Sequence, residues 1–153
     1  MQGSHSYAII ASKDMEVAGD MLRLGHYNYF VRLCQQYVEK ILKEVVCRLG
    51  DGEEYVSALN THNLFRISQK VTKLTEISFS KDEQLLFRSL TEYYFDTNYP
   101  GENYFEVSEE EALGVCADMK MFVKKFGEAL EDKNIGGVVF PETLKLLNEL
   151  KDL

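Results

Sequence analysis

The chain has 153 residues, 45% apolar and 12% aromatic, enough for one buried core and too few for two ordinary domains. Its formal net charge of −8 excludes sequence-blind coating of nucleic acid, which needs many Lys and Arg to neutralise phosphates, but leaves room for a local basic patch. No apolar run approaches the roughly 20 residues that cross a bilayer, and the N-terminus lacks the zones of a signal peptide, so a cytoplasmic protein with no membrane partner is expected.

The opening MQGSHS reads as a polar lead in which His5 has no role. From about Tyr7 to Leu24, Ala11, Met15, Ala18 and Leu22 recur at helical spacing, and Gly25 is a natural stop. From about Tyr29 to Leu49 a second stripe runs through Phe30, Cys34, Tyr37, Val38, Ile41, Val45 and Leu49, closed by Gly50 and Gly52. Glu39 and Lys43 form a favourable pair one turn apart. Arg32, Lys40 and Lys43 point away from the apolar stripe, which predicts a solvating role helped by Glu39 and Glu44. A third helix is predicted from about His62 to Ile77, with Thr61 as N-cap and Leu64, Ile67, Val71 and Leu74 facing the core.

Two later starts carry a capping box, Ser80 with Glu83 and Ser108 with Glu111, the second reinforced by Val107 and Ala112 at staple positions. Glu109 to Glu111 therefore read as a charged helix start, not a metal site. That helix continues through Leu113, Cys116, Met119, Val123, Phe126 and Leu130. Gly136 and Gly137 form a hinge, and Pro141 suits the first turn of a last amphipathic helix over about 141–152. Strand signals are weak. The expected fold is all-α: an up-and-down antiparallel bundle of four to five main helices plus a short C-terminal helix, in one domain spanning 1–153. Cys34, Cys47 and Cys116 are odd in number and lie in apolar helical contexts, as buried reduced thiols do. There is no Walker loop, zinc-spaced Cys/His set or nucleophile elbow, so no metal or cofactor is expected.

His62, Arg66, Lys70 and Lys73 are spaced four, four and three apart, placing a basic ridge beside the core face of the third helix in an acidic protein. The ridge begins at a helix N-terminus, where free N–H groups and the dipole favour an anion, so a phosphate is a reasonable occupant. Arg66 suits a forked contact with it, and His62 a donated or accepted hydrogen bond. The same spacing also describes an ordinary solvated face, the commoner outcome for a basic stripe.

The segments RLCQQYVEKILKEVV, THNLFRI and TNYPG, in that order, resemble the landmarks of HEPN domains, helical modules named for higher eukaryotes and prokaryotes nucleotide-binding. The likeness rests on Gln35, Gln36, Glu39, Lys40 and Lys43, on His62 and Leu64, and on Tyr99 and Pro100, and covers about residues 7–130. It implies a bundle that commonly forms a homodimer, often encoded beside a nucleotidyltransferase partner in a toxin–antitoxin pair. Many members are metal-independent RNases that carry an Arg followed four to six residues later by a His near the loop into the last long helix. This chain has no His after His62 and no Arg after Arg88, and reads Asn98-Tyr99-Pro100 where relatives often carry Arg-Tyr-Pro. Cleavage by that route needs a general base and a cation for the developing charge. The resemblance with this departure implies a module without catalytic residues that binds a nucleotide or RNA. The alternatives are an RNase toxin with a rearranged site, and a structural interaction protein using the loop and the terminal helix.

Residues 93–105, YYFDTNYPGENYF, hold six rings around a Pro-Gly pair. A β-turn centred on Pro100 and Gly101 is expected, with Gly101 taking the positive φ of a type II turn. Asn98, Tyr99, Pro100 and Tyr104 then form a loop surface. Packing or dimerisation is the favoured use of the rings over base stacking.

Overall fold

In the computed structural model, residues 6–50 and 52–150 are described. The lead with His5, and the end of the C-terminal helix expected beyond residue 150, lie outside the described residues. The first helix, α1 (Tyr7–Leu24), opens on Ser6, whose side chain accepts from Ile9 N, and closes on Gly25 with φ +81°. That left-handed cap is open to glycine without the penalty a Cβ brings. Gly25 and His26 turn the chain directly into α2 (Tyr27–Leu49). The two helices run antiparallel, because Ala8 N at the start of α1 donates to Glu44 near the end of α2, and Lys40 meets Asp14 midway.

α2 is the central column. It packs on α1, on α3 (Gly52–Leu59), on α4 (Leu64–Thr75), on α5 (Lys81–Asp96) and on α6 (Glu109–Asp132). Phe30, Val31, Cys34, Tyr37, Val38, Ile41, Leu42, Val45 and Val46 are buried around most of its girth. Each buried Val, Leu, Ile or Phe among them contributes about 1.5–3 kcal/mol, against about 0–1 kcal/mol for a surface ion pair such as Arg23–Asp20, so apolar burial holds the bundle. A stacked and edge-on cluster of Phe79, Phe87, Phe122 and Phe126 joins the α4–α5 connection and α5 to α6. The last helix, α7 (Pro141–Leu150), packs on α1 and α6 with Leu147 and Leu150 buried.

The all-α class is as expected, and both capping boxes form, at Ser80 with Glu83 and at Ser108 with Glu111. Seven helices appear among the described residues; the additional one is α3, in the stretch expected only to connect α2 to the next helix. Three details differ from the sequence expectation. α4 starts at Leu64, with Asn63 as its N-cap. Tyr93, Tyr94 and Phe95 belong to the last turn of α5, not to the loop. Gly136 and Gly137, expected as a hinge, are tied to α2: Arg48 donates to both of their carbonyl oxygens while its Nε holds Glu44 at 2.7 Å.

Of the cysteines, Cys34 and Cys116 are buried free thiols and Cys47 is half-buried. Burial pushes the Cys34 thiol well above its ordinary range, and that of Cys116 upward, which keeps both in the unreactive form at neutral pH.

Candidate phosphate-binding surface

Local chemistry decides where α4 begins. Thr61 and Asn63 are both good caps, but Gln35 of α2 donates to His62 O at 3.1 Å and holds that residue outside the helix. Thr61 Oγ1 then accepts from Asn63 N at 3.0 Å, and Asn63 Oδ1 accepts from Arg66 N at 3.1 Å. Thr91 of α5 takes the Leu64 N–H at 3.2 Å. Two donors at the start of α4 are thereby satisfied within the protein, and the free N–H groups expected there for an anion are reduced accordingly.

The expected ridge divides in two. Arg66, Lys70 and Lys73 line a hollow of about 290 Å³ between α3 and α4, together with Ser57, Ala58, Thr61 and Gln69. His62 does not line it. The imidazole turns toward α2, its Nδ1 3.1 and 3.2 Å from the two carboxylate oxygens of Glu39. The 60–63 connection therefore carries the cationic hollow on one side and His62 on the other.

Glu39 is the hub of a buried polar network that the sequence does not announce. Its oxygens also accept from Lys43 Nζ at 2.8 Å and Gln35 Nε2 at 2.9 Å, and Gln36 donates to Gln35 Oε1 at 2.7 Å. Lys43 and Glu39, expected to solvate α2, are buried instead, because α2 has helices on almost every side. A carboxylate accepting from an ammonium and an amide has only acceptor capacity left, so the imidazole proton facing it sits on Nδ1. The other ring nitrogen, Nε2, belongs to a side chain that is 53% exposed.

The loop surface meets the same side of α2. Arg32 Nη1 donates to Asn98 Oδ1 at 2.5 Å, and its guanidinium lies 4.2 Å from the Tyr29 ring centroid. Tyr94 sits 5.6 Å from the His62 ring, and its hydroxyl is pushed up by partial burial and by the nearby Tyr99 and Glu39, with Arg32 opposing. Tyr99, Pro100 and Tyr104 are exposed, whereas Tyr93 stacks on Phe105 at 5.6 Å. The hydrogen-bonded turn is not centred on Pro100 and Gly101: it closes from Tyr104 N to Gly101 O at 3.2 Å, with Gly101 at φ +151°. Phe105 N returns to Asp96 O, and Asn28 Oδ1 accepts from Val107 N at 2.8 Å, so the loop folds back over the ends of α2 and α5.

Arg32, Glu39, Gln35 and Tyr94 are thus site residues that helical periodicity missed. The contacts that bring Arg32 to the loop and Glu39 to His62 span 66 and 23 residues in sequence, which no local spacing signals. Among the described residues no group of His, Cys, Asp and Glu is arranged to hold a metal ion.

The family model of the HEPN domain matches residues 7–130. The chain belongs to the HEPN family. The match ends at Leu130, within α6, and leaves α7 outside the HEPN segment. No curated protein and no solved structure gives a significant match. For this HEPN chain, no helix among the described residues is long and apolar enough to cross a membrane.

Proposed function

We propose that this HEPN protein is a binding module, without RNA-cleaving activity, that takes a phosphate of a nucleotide or of RNA in the hollow between α3 and α4. The observation that carries the reading is the lining of that hollow: Arg66, Lys70 and Lys73 line it, and its described lining residues include no carboxylate, in a chain of net charge −8. Three cations in one concavity hold an anion by charge and by donated hydrogen bonds, and Arg66 adds a forked contact. The volume is at the lower end of small-molecule sites, about 300 Å³ and upward, which suits a phosphate and its sugar more than a whole dinucleotide. The family supports a homodimer and a nucleotidyltransferase partner, in a toxin–antitoxin setting, as the context of binding. The domain is read as one unit over 1–153.

The test is titration of ATP and of a short single-stranded RNA into the protein. Arg66→Ala with Lys70→Ala is expected to weaken binding by roughly tenfold or more, as loss of two charge-assisted contacts does, with the helical circular dichroism unchanged. Unaltered affinity in that double variant would remove the hollow from the site.

One observation favours a second reading, an RNase with a rearranged site: buried Glu39 fixes Nδ1 of His62 and leaves Nε2 for a substrate proton, as a general base requires. Labelled RNA incubated with the protein in EDTA is expected to stay intact. Cleavage that His62→Ala abolishes would establish the RNase instead.

A further inference from the structure

α5 and α6 run antiparallel: Asp82 of α5 faces Asp118 of α6, and Tyr93 faces Glu111. Between them an open groove of about 560 Å³ remains. Its floor is apolar, formed by the buried Leu86, Val115 and Phe122. Its lips carry Leu85, 62% exposed, and Met121, 64% exposed, one on each helix. From Asp82 to Tyr93 the groove follows about three turns of α5, or roughly 16 Å.

Gly114 forms part of the wall. It lies inside α6, where glycine is about 1 kcal/mol worse than alanine. A Cβ built there would meet nothing within 4 Å. No described neighbour therefore requires the glycine, and the α6 backbone stands open to the groove at this point.

Charge selects what approaches. The lining carries Asp82, Glu111, Asp118 and the buried Glu83 against one cation, Lys125. Glu83 and Glu111 each direct an oxygen to their capping boxes, at Ser80 N and Ser108 N, which leaves Asp82 and Asp118 as the pair facing across the groove. Partial burial, and then repulsion from Asp82, raise the Asp118 carboxyl above its ordinary range. An incoming ammonium or guanidinium relieves that repulsion.

We propose that the α5–α6 groove is the docking site of a basic amphipathic helix from a partner protein, its apolar stripe on Leu85, Leu86, Met121 and Phe122 and its Lys or Arg residues on Asp82 and Asp118. A helix is the fitting occupant because the walls are themselves helices, whose backbone groups are already paired, so an extended strand finds no edge to join. The surface lies apart from the cationic hollow, and the proposal is independent of the phosphate-binding reading.

The experiment uses the full chain and two fluorescent synthetic peptides of roughly 14 residues, four helical turns, one built from Leu and Lys and the other from Leu and Glu at the same positions. Fluorescence anisotropy is expected to show the Leu/Lys peptide binding at least about tenfold more tightly. Gly114→Leu, whose Cβ meets nothing within 4 Å and whose branch projects from the groove wall, is expected to lose that binding by about tenfold or more at unchanged circular dichroism, and Asp82→Asn with Asp118→Asn to weaken it similarly. Glu16→Gln with Glu149→Gln, on α1 and α7, is the control for bulk charge and is expected to leave binding unchanged. Equal affinity for both peptides, full affinity in Gly114→Leu, or an equal loss in the control variant would overturn the proposal. Sedimentation showing self-association that Gly114→Leu abolishes would assign the groove to a second copy of the chain, and would overturn it as well.

Discussion

Glu39 shows how one side chain ties the core to the candidate site. Its carboxylate is buried with Lys43, and it also holds Gln35 and the His62 ring. Two charges brought out of water are worth keeping only when their remaining hydrogen-bond capacity is used, and here it is used on every side. Removing the carboxylate leaves the buried Lys43 ammonium only the Leu59 carbonyl, at 3.4 Å, and frees the imidazole. Glu39→Ala is therefore expected to destabilise the fold by about 3–5 kcal/mol, measured by urea unfolding. A loss below about 1 kcal/mol, the range of an exposed pair, would show that Lys43 escapes to water and that the network is peripheral. The pair itself, four residues apart on one helix, was legible in the sequence. Its burial was not, because that depends on how many helices surround α2, and His62 joins it from 23 residues away.

At the scale of elements, what is local in sequence was legible and what is settled between elements was not. Gly25 ends α1, and Ser80 and Ser108 start α5 and α6, because each cap needs only its own neighbours within three or four residues. α4 is the counter-example. Thr61 and Asn63 compete as caps, and Gln35 and Thr91, each 27 residues from its target, settle the start two residues later than periodicity alone predicts. α3 was hidden for another reason: an eight-residue helix opening on glycine gives too little pattern to distinguish from a connection. The cap of α6 is a fair test of this local account. Ser108→Ala removes the acceptor for Glu111 N while leaving Val107 and Ala112 packed, so a loss of about 1 kcal/mol in thermal or urea unfolding is expected. Ser108→Asp, which keeps the acceptor, is expected to recover most of it. No difference between the two variants would mean that the staple and the Tyr27–Glu109 contact fix this end without the cap.

For the whole molecule, the opposition between an acidic chain and a small basic hollow sets how binding responds to salt. The stripe of Arg66, Lys70 and Lys73 was legible because all three lie within one helix, and the structure gives it a concave setting by placing α3 against it. A protein that neutralises Z phosphates of a single strand loses affinity with a log–log salt slope of about −0.7Z, so three cations in the hollow predict a slope near −2 for short RNA. The field of the remaining acidic surface repels the strand at long range and is screened by the same salt, which makes the observed slope shallower than −2 at low ionic strength and brings it toward that value near about 0.15 M. Affinity measured across a KCl series checks this directly. A slope much steeper than about −2 would require cations beyond the hollow, with Arg32 beside the loop the first to replace by Ala, while a slope near zero would mean that phosphates are not what the protein holds.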